Sequence, residues 1–128
     1  MNLSNLNLRE LEEEYEKEIA KAEGASKAWV AAKAYFESVD DKRRVILSEL
    51  MEKTEGESHI VGKSRSSQAA KEQFAYVQKE WADFMSLLSE TRRDYYQALV
   101  NYDMAKLRIE AIRTVVATRR QEIQSFKG

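Results

Sequence analysis

The chain has 128 residues, 43% hydrophobic and 34% charged, and its 21 basic and 22 acidic side chains leave a formal charge of -1. That length suits a single domain, and the near-neutral balance calls for neither nucleic acid nor the acidic surface of a nucleic-acid mimic, so any charge argument is local. With no cysteine there is no disulfide, thiolate metal site or cysteine nucleophile, and redox chemistry leaves the compartment open.

At the N terminus, Met1 to Arg9 carry neither a basic leader nor an apolar signal core. The longest unbroken apolar run, Ala28 to Ala32, is ended by Lys33 and is far too short to span a bilayer. No membrane association and a cytoplasmic location are therefore expected.

From residue 8 the apolar positions recur in alternating steps of three and four: Leu8, Leu11, Tyr15, Ala22, Ala25, Trp29, Ala32, Phe36, Val39, Ile46 and Leu50, interrupted only by Glu18 and Arg43. A mean spacing of 3.5 is the period of helices that supercoil around each other, and it predicts a helix over about 8–52. Gly24 could break this helix or admit a close helix neighbour, but the period keeps phase across it, so continuity is expected.

Residues 53–66 gather Gly56, Gly62 and several serines and threonines, which predicts the one major loop. Beyond it the 3.5 period resumes from Ala70 through Phe74, Val77, Trp81, Phe84, Leu88, Tyr95, Ala98, Tyr102, Ala105, Ile109, Ile112, Val116, Ile123 and Phe126, with Thr91 and Arg119 as exceptions. A second helix over about 67–126 follows, and the absence of proline removes the strongest helix breaker.

The predicted fold is all-α: one domain, residues 1–128, folded as a long antiparallel helical hairpin of coiled-coil type. A loop centred near residue 60 would bring residue i of the first helix near residue 120 minus i of the second. Leu8 would meet Ile112 and the last turns of the second helix would overhang. Charge agrees with the antiparallel sense, because residues 1–23 hold three basic and seven acidic side chains while 104–128 hold six and two. Apolar residues beside the seam, such as Val30, Val100, Met104 and Leu107, need cover, and a homodimer forming a four-helix arrangement is expected to supply it.

No catalytic constellation emerges, so an enzyme is not expected. His59 is the sole histidine and lacks partners at metal-ligand spacing, Ser58 beside it is no triad, and Gly62-Lys63-Ser64 lacks the glycine and strand of a phosphate loop. The acidic run Glu10, Glu12, Glu13, Glu14, Glu16 and Glu18 reads as a solvated or ion-paired helix face. No catalytic, cofactor-binding or metal residue is assigned, and no cofactor is expected. What remains is a basic set, Arg108, Arg113, Arg119, Arg120 and Lys127 with Lys63 and Arg65, as the candidate contact for a polyanion or a protein partner.

The run Tyr102 to Arg120, with the Lys63-Ser64 entry to the second helix, resembles small helical proteins of tailed bacteriophages and prophages. Their shared A-x-x-R-I-E-A-x-R-T ending corresponds here to Ala105, Arg108, Ile109, Glu110, Ala111, Arg113 and Thr114, and their K-S-x-x-x-A helix start to Lys63 and Ser64, with Ser67 at a small-residue position. The resemblance covers the second half of the chain. It implies a phage context, often beside replication and recombination genes, in the host cytoplasm, and carries over no catalytic residue. The leading functional expectation is a non-enzymatic interaction protein with a protein partner. The alternatives are a nucleic-acid-binding accessory factor of phage recombination or replication, and an inhibitor of a host enzyme.

Overall fold

A computed structural model describes residues 2–60, 68–76 and 78–127, with the side chains of all but 54–60 and 127. Among the described residues every regular element is helical. A 3-10 turn over Leu3–Asn5 precedes four α-helices, α1 (Leu8–Asp41), α2 (Arg43–Ile60), α3 (Gln68–Tyr76) and α4 (Lys79–Lys127).

Local chemistry fixes the ends. Asn7 opens α1 with a reciprocal cap, its Oδ1 accepting from the Glu10 backbone N–H at 2.8 Å while Glu10 Oε1 accepts from the Asn7 N–H at 3.5 Å. One residue, Lys42, separates α1 from α2: its N–H tightens onto the Val39 carbonyl (3.1 Å), and its own carbonyl accepts from Ile46 N–H (3.0 Å). Gln78 punctuates α3 and α4 in the same way, donating its N–H to Ala75 O and its side-chain amide to Phe74 O, each at 3.2 Å. Each expected long helix is thus divided in two, at positions with no glycine or proline to announce it. Gly24 lies within α1, which runs through it as expected; nothing lies within 4 Å of the position its Cβ would occupy.

The expected loop over 53–66 begins later than its glycine and serine content suggested. Helix α2 continues through Gly56 to His59 and Ile60, and residues 61–67 lie outside the described set. A single helical glycine costs only about 1 kcal/mol, which the surrounding helix formers can offset. His59 is consequently helical rather than a loop residue.

The chain forms two compact units, residues Met1–Ala31 with Tyr96–Gly128, and residues Ala32–Tyr95. In the first, the start of α1 packs antiparallel on the end of α4 around buried Leu11, Ala22, Ala105 and Ile112, and the Trp29 and Tyr102 rings stack with centroids 5.7 Å apart. In the second, Val39, Phe84 and Leu88 form the core, flanked by Phe36, Ile46, Trp81 and Met85. There α2 packs on α3, Leu50 and Ala75 are buried, and the Phe36 and Tyr95 rings lie 5.8 Å apart.

The expected seam is realised closely in α1 and α2. All its positions from Leu8 to Leu50 are buried or half-buried, Glu18 and Arg43 included. Thr91 is buried too, its hydroxyl satisfied by donating to Leu88 O at 2.9 Å. The seam fades at the ends of the second stretch, where Ala70, Ile123 and Phe126 are exposed.

Register is where the expectation fails. Glu12 meets Arg120, Tyr15 meets Arg113 and Trp29 meets Tyr102, so in the first unit residue i faces the neighbourhood of 130 minus i, not 120 minus i. Phe36 with Tyr95 and Lys53 with Glu80 give the same offset in the second unit. The cause is the longer α2, which runs to Ile60 where the first helix was expected to end near residue 52. Leu8 therefore does not face Ile112, and Arg119 and Arg120 lie against the N-terminal segment instead of overhanging it.

Candidate functional site

Four of the seven basic residues singled out by sequence have described side chains, all on α4 in the first unit. Arg120 Nη2 lies 3.1 Å from Glu12 Oε1, and Arg119 Nη2 donates to the Ser4 carbonyl at 2.9 Å with Glu122 3.7 Å from its other nitrogen. Arg113 donates to the Tyr15 hydroxyl at 3.3 Å. That hydrogen bond and the interaction with Tyr15 raise the Arg113 pKa above its ordinary value. Arg108 is exposed on the same helix and lines a cleft. Lys127 ends α4, where only its backbone is described, and Lys63 and Arg65 lie outside the described residues.

The basic set is therefore not one free patch. Three of its arginines hold the N-terminal segment of the chain, which is the interhelical use their position opposite an acidic run allowed. Much of the acidic run is paired within α1, Glu13 with Arg9, Glu14 with Lys17 and Glu18 with Lys21, while Glu12 reaches across to Arg120. No group of three or more His, Asp or Glu residues placed to hold a metal occurs among the described residues. None of the described helices is long and apolar enough to cross a membrane.

A different surface stands out on α4. Tyr96, Val100, Met104 and Leu107 are 46 to 57% exposed, and their spacing of four, four and three places them on one helix face. At 100° per residue this stripe lies about 175° around the helix from the seam residues Ala98, Tyr102, Ala105 and Ile109. Within the first unit α4 is thus apolar on two opposite sides, one packed on α1 and the other largely exposed. The surplus of apolar residues was legible in the sequence; that three of them, Val100, Met104 and Leu107, align opposite the seam follows once the seam is fixed, and Tyr96 joins them there.

No protein-family model, curated protein or solved structure matches this chain.

Proposed function

We propose that this chain is a non-enzymatic helical interaction protein whose working surface is the second apolar face of α4, and that a second copy of the chain covers it. The observation that carries the proposal is the exposed Tyr96, Val100, Met104 and Leu107 stripe opposite the intramolecular seam. Apolar residues recurring every three or four positions line one side of a helix, and a stripe of this kind can pair with its own copy about a two-fold axis. Such pairing of two-helix units gives the four-helix arrangement in which each α4 is buried on both sides. A partner protein would then meet the assembled dimer, in the phage setting that the Tyr102 to Arg120 resemblance suggests.

Nucleic-acid binding through the C-terminal arginines is the weaker alternative, because Arg113, Arg119 and Arg120 are already engaged within the chain. Host-enzyme inhibition has no observation favouring it.

Sedimentation velocity at micromolar concentration tests the proposal. Twice the chain mass of 14.8 kDa is expected for the native protein, and the chain mass itself for Val100→Glu with Leu107→Glu, with helicity retained because both positions are exposed. A monomeric native protein would overturn it.

A further inference from the structure

Glu18 is a charged residue in a position built for an apolar one. It lies on the α1 seam, is only 3% exposed, and shares a cleft with Ile112, its seam neighbour on α4. One carboxylate oxygen accepts from Lys21 Nζ at 3.3 Å, and the other is buried with no hydrogen-bond partner. A buried oxygen left without a donor is costly, because the water it gave up on folding is not replaced. A second defect lies at the far end of α4. The seam residues Ile123 and Phe126 are 38% and 94% exposed, because they face the first turn of α1 and the residues ahead of it.

Both defects have one remedy. Sliding α4 by a heptad along α1 restores apolar against apolar, and in one direction residue i comes to face the neighbourhood of 137 minus i. Glu18 then meets Arg119, Leu11 meets Phe126 and Tyr15 meets Ile123. The contacts that mark the observed register recur as well, because Arg113, Arg120 and Lys127 stand seven apart. Arg120 takes the place of Arg113 at Tyr15, and Lys127 that of Arg120 at Glu12. In the second unit the slide sets Leu50 against Leu88 and Ile46 against Thr91, so that seam also stays filled. A slide in the opposite direction sets Glu18 against Ala105 and leaves more of α4 uncovered.

We propose that the helix pair has a second register, one heptad from the first, in which Glu18 is paired with Arg119 and Phe126 is covered by Leu11. The observed register keeps the ring contacts of Trp29 with Tyr102 and Phe36 with Tyr95, and is the ground state. The second exchanges those for a buried ion pair and two covered apolar side chains, and is the minor state. Displacement of one element past another by whole turns is an established form of switching. Here it presents the C-terminal turn of α4 in one register and withdraws it in the other. The exposed stripe of α4 lies opposite the seam, so the second register stands or falls independently of self-association.

Paired cysteines in the full chain, which has none of its own, provide the test. Ala22→Cys with Ile109→Cys reports the observed register, since both residues line one groove, and Ala22→Cys with Val116→Cys reports the second. Val116 lies about 10 Å along α4 from Ile109, beyond disulfide reach of residue 22 without a slide. Ala22→Cys with Ile123→Cys, a further heptad on, measures closure through global opening. Intramolecular closure in a glutathione buffer is followed on non-reducing denaturing gels. The Val116 pair is expected to close at about 1 to 10% of the rate of the Ile109 pair, and about tenfold or more faster than the Ile123 pair. Glu18→Leu should slow the Val116 pair about tenfold, the equivalent of one lost charge-assisted hydrogen bond, and leave the Ile109 pair unchanged. Closure of the Val116 pair no faster than that of the Ile123 pair, or at a rate indifferent to Glu18→Leu, would overturn the second register.

Discussion

Arg120 Nη2 lies 3.1 Å from Glu12 Oε1, joining residues 108 positions apart in sequence across the two helices of the first unit. Both side chains are more than half exposed, so water and salt weaken their attraction. With Arg113 on Tyr15 and Arg119 on Ser4, the pair fixes which turn of α4 faces which turn of α1. Its contribution is to register more than to stability.

A double-mutant cycle on Glu12→Ala and Arg120→Ala, followed by urea unfolding, should return a coupling of about 0.2 to 1 kcal/mol that falls below detection near 1 M salt. A coupling of several kcal/mol, or one indifferent to salt, would contradict the exposed geometry.

Leu11 and Leu88 are the largest fully buried side chains, one in each unit. Truncation to alanine removes apolar area and leaves a cavity, so Leu11→Ala and Leu88→Ala should each destabilise by about 2 to 5 kcal/mol. In contrast, Leu107→Ala, at a position 57% exposed, should cost under about 1 kcal/mol in the monomer. The ranking is read from urea midpoints at protein concentrations below any association.

Gly24 sits inside α1 with open space where a Cβ would project. Gly24→Ala removes unfolded-state freedom without a clash and should stabilise by about 0.5 to 1 kcal/mol. A lower melting temperature for this variant would show that the position does approach a neighbour in solution.

Glu18→Met keeps the length of the side chain and removes a buried charge with one unpaired oxygen. Replacing a half-satisfied buried ion by an apolar group is expected to be neutral or to stabilise by about 1 kcal/mol or more. Thermal unfolding checks the sign. A clear loss of stability would mean that the Lys21 contact outweighs the desolvation of the carboxylate.

Much of the helix pairing was legible because one physical rule governs it: residues at a 3.5 spacing lie on one side of a helix. That rule marked Leu11, Val39, Leu50, Phe84, Leu88 and Ile112 as core, and it placed even Glu18 and Thr91 on the buried face. Periodicity alone does not choose register, since sliding one helix along the other by a heptad restores the same pattern of apolar against apolar. Trp29 against Tyr102 and Phe36 against Tyr95 settle it, and those are contacts between residues far apart in sequence.

The same division holds for the site. Composition identified the arginines, but whether an arginine is available depends on what lies across from it, and tertiary packing commits Arg113, Arg119 and Arg120 to the N-terminal segment while sparing Arg108. The sequence by itself determined an all-helical chain with one long seam and too many apolar residues for that seam alone. Only the tertiary structure decided which turns of the paired helices face each other, which face of α4 stays exposed, and that a carboxylate is buried with one oxygen unanswered, because each depends on distances between segments that no local pattern encodes.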